Sequence, residues 1–144
     1  MNVLQFLGRL HPLVLHFPVA LLVLASAVEV VRCFRHDSRL GHLTVFLLAV
    51  GAAGAFAAAG SGWVFARESH PEPALRATLL WHRWLGLGTA ALAVLAWFAA
   101  RRWTNDTRPG YRWISRLATW LATGVLAITA HLGALLVWGA DYFS

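Results

Sequence analysis
The sequence predicts an all-α fold: a four-helix transmembrane bundle in up-down topology, both termini outside. Three observations carry this. Hydrophobic residues make up 59% of the 144 residues and charged residues only 12%, where a soluble domain carries about a quarter charged. Four apolar segments, residues 10–31, 43–65, 79–100 and 114–138, are each close to the roughly 20 residues that cross a bilayer as a helix. Basic residues gather between them: Arg32, Arg35 and Arg39 in the first connection, and Arg101, Arg102, Arg108, Arg112 and Arg116 in the third. Only helices satisfy their own backbone polar groups in lipid without closing a barrel. The chain therefore reads as one integral membrane domain, 1–144.

The basic clusters set the expected orientation. The second connection offsets Arg67 and Arg76 with Glu68 and Glu72, so the first and third connections are the basic ones. The positive-inside rule places them in the cytoplasm, with the N- and C-termini outside. The net charge of +6 then has a topological explanation, and nucleic acid is not an expected partner. The first segment is a retained helix, because its basic residues follow the apolar run, the reverse of a signal peptide.

In helix one, Pro12 suits the first turn, where a missing N–H costs nothing. Pro18 lies further in and is expected to kink the helix, freeing the carbonyl of Val14. Glu29 is three residues from Arg32 and forms a structural ion pair with it. Cys33 is the sole cysteine, and no CxxCH motif for covalent haem attachment is present. Helix two is crowded with small residues, Gly51 to Ala55 and Ala57 to Gly62, which permit close backbone approach. His70-Pro71-Glu72-Pro73 breaks the chain before helix three, and the stretch from Asn105 to Gly110 breaks it before helix four. Aromatic residues mark the expected interfaces: Trp63, Phe65, Trp81, Trp84, Trp138 and Tyr142 outside, Trp103 and Trp113 inside.

The topology brings His16, His82 and His131, one from each of three helices, to the outer half of the membrane, with His11 at the rim above. His70 falls in the outer loop. His36 and His42 fall on the cytoplasmic side as interfacial residues. His16 shares a helical face with Ala20, Val23 and Ala27; His82 with Gly86, Thr89, Ala93 and Ala96; His131 with Gly124, Ala127 and Ala134. Stripes of small residues normally face other helices, so the three imidazoles are expected to point into the bundle. Two readings follow. Each imidazole hydrogen-bonds a carbonyl or hydroxyl across the bundle, or the three form a ligand site, since intramembrane ionisable groups mark function. As ligands they would hold haem b between two axial histidines, or zinc or copper in a three-histidine cluster. With no cysteine at that level, a soft Cu(I) site is disfavoured. Arg83 either snorkels outward or meets a haem propionate. Asp141 is a solvated terminus or hydrogen-bonds a histidine.

These residues resemble a known family, the bacterial membrane proteins of unknown function 2231 (DUF2231). The resemblance rests on Leu7-Gly8-Arg9 with His11-Pro12, His16 and Pro18, on His82-Arg83-Trp84 with Gly86, and on His131-Leu132-Gly133 with Gly139 and Asp141-Tyr142. It implies a redox setting, since relatives are often associated with c-type cytochrome domains. The family's C-terminal pattern resembles HLGGSLTHGEDY; here Ala134, Trp138 and Ala140 stand in place of a glycine, a histidine and an acidic residue. The expectation is therefore a b-type cytochrome-like electron-transfer protein or accessory subunit. His16, His82 and His131 are the candidate ligands, with His11 in reserve, and the axial pair among them is left open. A divalent-metal protein using the same histidines and a cofactor-free scaffold of a larger redox complex are the alternatives.

Overall fold
The computed structural model describes residues 3–35, 37–68, 72–103 and 108–139. The elements are α1 (Val3–Arg9), α2 (His11–Val14), α3 (His16–Phe34), α4 (Ser38–Glu68), a 3₁₀ turn (Pro73–Leu75), α5 (Arg76–Trp103) and α6 (Pro109–Trp138). Four spans long and apolar enough to cross a membrane emerge: His11–Phe34, Ser38–Arg67, Pro73–Arg102 and Gly110–Trp138. The fold is the expected four-helix transmembrane bundle. α4, α5 and α6 run past the ends of their apolar cores, so each carries charged residues beyond the hydrophobic stretch.

The first span is interrupted where its prolines act. The helical hydrogen-bond ladder has gaps around Leu10 and Leu15, but both residues keep right-handed helical angles, and Leu10, Val14, Leu15 and Val19 still bond the carbonyls four residues back. Neither Pro12 nor Pro18 has an N–H to give, so the carbonyls four residues back, on Gly8 and Val14, lose their helical donors. Pro109 sits at the start of α6, where its fixed φ suits the first turn. Gly139 ends that helix at φ 82, a left-handed-side backbone angle that a glycine reaches without steric cost.

Consecutive helices pack side by side in chain order, and α3 closes the ring against α6. The core that joins them includes Leu22, Leu47, Leu48, Ala93, Ala96, Ala100, Ala122 and Leu126. Small residues of α4 let α3 approach closely: a Cβ on Gly51 would meet the Leu22 side chain at 3.1 Å. Many large apolar side chains, such as Phe46, Leu95, Phe98, Leu121 and Ile128, lie exposed on the outside. In water such a surface would aggregate; in lipid it is the solvent-matched face.

The seam between α3 and α6 is built differently, from polar groups. Ser26 donates to the Thr123 hydroxyl at 2.7 Å, Thr123 donates to the Leu22 carbonyl at 3.2 Å, and the Trp120 indole donates to the Ser26 carbonyl at 3.3 Å. Lower on the same seam Arg32 pairs with Glu29, as its spacing predicts. Arg116 donates to the Arg32 carbonyl at 2.7 Å, and its Nε lies 3.5 Å from Glu29 Oε2. Glu29 is fully buried and both arginines nearly so. By sequence Arg116 belongs to the basic cluster of the third connection; in the fold it is an interior partner of Glu29.

Candidate cofactor site
The bundle has two chemically distinct ends. One gathers Arg32, Arg101, Arg102 and Arg116; the other gathers His11, His16, His82 and His131 with Trp63, Trp81, Trp84 and Trp138. At the histidine end two imidazoles meet inside the ring of helices. His11 on α2 and His82 on α5 have ring centroids 6.3 Å apart with planes at 79°.

Each ring is fixed from a neighbouring helix. His11 Nδ1 donates to the Ala58 carbonyl of α4 at 2.9 Å and lies 3.3 Å from the Ser61 hydroxyl. Ser61 in turn donates to the same Ala58 carbonyl at 3.0 Å. His82 Nδ1 donates to the Thr129 carbonyl of α6 at 2.9 Å. A carbonyl can only accept, so both Nδ1 atoms carry the proton. In the neutral tautomer both Nε2 atoms then present lone pairs. This orientation by a backbone acceptor on the far nitrogen is what metal-ligating histidines usually have.

Glycines make the space for these rings. A Cβ on Gly62 would lie 2.7 Å from His11 Cε1, and one on Gly133 would lie 3.0 Å from His82 Cε1. Any larger residue at either position would push the imidazole away. Beside the pair, the Arg83 guanidinium lies 3.9 Å over the Trp63 ring, which packs edge-on with Trp84 at 5.9 Å.

The expected trio is not assembled. His82 faces the interior as its stripe predicts, with Thr89, Ala93 and Ala96 buried below it. His16 is exposed, and its Nδ1 donates to the Pro12 carbonyl of α2, one turn back in the same span. Its stripe, Ala20, Val23 and Ala27, is exposed as well. His131 is exposed, together with Gly124 and Ala127. Two of the three inward orientations are therefore corrected, and His11, the rim reserve, takes the interior place. Small residues do not mark a buried face here, because lipid tolerates alanine and glycine as readily as a packed interface does. Among the described residues no group of three or more His, Cys, Asp or Glu could hold a metal ion. His42 is exposed and donates to the Ser38 carbonyl of its own helix at 2.9 Å. His36, His70, Asp141, Tyr142 and the side chain of Trp103 lie outside the described residues.

A family model described as a predicted membrane protein, DUF2231, matches residues 9–142. No curated protein and no solved structure matches the chain significantly.

Proposed function
We propose a function from the premise that this chain belongs to the DUF2231 family of membrane proteins: it is a b-type cytochrome-like electron-transfer protein or subunit, with haem b held by His11 and His82. The observation that carries this reading is the interior imidazole pair with both Nδ1 atoms committed to carbonyls. With ring centroids 6.3 Å apart, His11 and His82 are near enough that they would hold one iron between them.

Ligand number favours haem over a bare ion. Haem brings four equatorial nitrogens, so two protein ligands complete its iron. Zinc sites take three or four protein ligands, and the described residues gather no such set. Copper or zinc on the same two histidines is the metal-ion alternative, and metal analysis separates it from haem.

Haem held here would supply one-electron chemistry. The chain's own groups perform the rest. Ala58 and Thr129 fix the ring tautomers, and Gly62 and Gly133 admit the rings. The arginine-rich end is cytoplasmic by the positive-inside rule. The histidine end then faces the periplasm, where a c-type cytochrome or another redox subunit would exchange electrons with it.

A second reading has its own support. The bonds to Ala58 and Thr129 join helix to helix, as they would in a cofactor-free scaffold of a larger complex. The visible spectrum of detergent-purified protein, oxidised and then dithionite-reduced, decides. Expression with ample haem supply is expected to give a Soret band that shifts on reduction, with sharpened α and β bands. His11→Ala or His82→Ala removes that spectrum, whereas His16→Ala and His131→Ala keep it. A flat wild-type spectrum eliminates the haem reading.

A further inference from the structure
Held by His11 and His82 alone, a flat ligand would be free to turn between them. Something else must set its rotation. Arg83 is placed to do so. It follows His82 directly on α5, and the ring beneath it, Trp63, directly follows the Gly62 that His11 packs against. The guanidinium is thus held on the α4–α5 seam, adjoining the backbone positions that seat both histidines.

Arg83 is half-buried, with its guanidinium laid against Trp63. Arg83 Nε is buried and makes no hydrogen bond among the described residues. A shielded donor without an acceptor is costly. The stack on Trp63 at 3.9 Å holds the guanidinium plane in place. A fixed, planar set of donors recognises a carboxylate by parallel charge-assisted hydrogen bonds.

We infer that Arg83 is the carboxylate anchor of the ligand held by His11 and His82. The inference rests on the haem reading above, and the carboxylate is then a haem propionate. Arg83 would neutralise that charge near the membrane surface and hold the macrocycle in one rotation.

The test compares haem b with its dimethyl ester, in which both propionates are masked. Each is titrated into the full-length, detergent-purified apoprotein and followed by Soret absorbance. Wild type is expected to bind haem b about tenfold or more tightly than the diester, the range for a hydrogen bond between charged groups. Arg83→Gln is expected to abolish that preference by weakening haem b alone, and Arg83→Lys to restore part of it. An undiminished preference in Arg83→Gln overturns the assignment and leaves the histidine site standing. Equal wild-type affinity for the two ligands does the same, and needs no variant to fold. Wild type that binds neither ligand overturns the haem reading and the Arg83 assignment together.

Discussion
Replacing Glu29 by leucine removes the only carboxylate of the buried cluster while leaving Arg32 and Arg116 inside the α3–α6 seam. Glu29 has no exposed surface, and Arg32 and Arg116 are each 7% exposed, so water cannot readily compensate. For charges 3.5 Å apart, as Arg116 Nε and Glu29 Oε2 are, an effective dielectric of about 20 gives a gross attraction of about 5 kcal/mol. Desolvation of the ions offsets much of this when the whole cluster is compared with an apolar one. Removing one partner leaves that desolvation in place, and such changes cost about 3–5 kcal/mol. Glu29→Leu should therefore shift the folding equilibrium by a factor of a hundred or more. The assay is unfolding in mixed micelles of increasing denaturing-detergent fraction, followed by helicity. A triple variant, Glu29→Leu with Arg32→Leu and Arg116→Met, should recover most of the loss, because no charge remains to be stranded. A Glu29→Leu protein within about 0.5 kcal/mol of wild type would refute the claim that this carboxylate neutralises the seam. So would a triple variant no more stable than the single one.

The remaining predictions use the same preparations. Gly62→Ala and Gly133→Ala place a methyl against His11 and His82; each should destabilise the protein by about 1–3 kcal/mol, as overpacking does, and lower haem retention in the absorption spectrum. Thr123→Val removes the hydroxyl that links α6 to Ser26 and to the Leu22 carbonyl, and should cost about 1 kcal/mol in the micelle titration. Asp37 is exposed at the arginine end. In a Cys33→Ser background, Asp37→Cys should resist a membrane-impermeant maleimide on spheroplasts and react once the membrane is opened, whereas immediate labelling would reverse the proposed orientation.

The inner face of the first span was present in the sequence under a different marker. A carboxylate cannot face lipid cheaply, so Glu29 defines the buried side. The same face runs through Pro18, Leu22, Ala25 and Arg32, all buried. Eighteen residues separate His11 from Glu29, about five full helical turns, so His11 continues that face while His16 departs from it. Taking the phase from the costly residue, rather than from the small ones, selects His11, the histidine that lies against His82. Nothing comparable in α6 marked Arg116, because an arginine one turn inside a basic loop satisfies the positive-inside pattern equally well whether it turns outward or inward.

The sequence by itself determined the all-helical fold, the four spans and the Glu29–Arg32 pair. These depend on hydropathy summed over about 20 residues and on contacts within one helical turn, which are local quantities. Only the tertiary structure decided which histidines meet, that Arg116 completes the buried charge cluster, and that Arg83 lies stacked on Trp63. Each of these depends on the rotation of one helix against another. In a bilayer that rotation is set by cross-helix hydrogen bonds and close packing at a few positions, because a lipid-facing leucine and a buried one have nearly the same apolar surroundings.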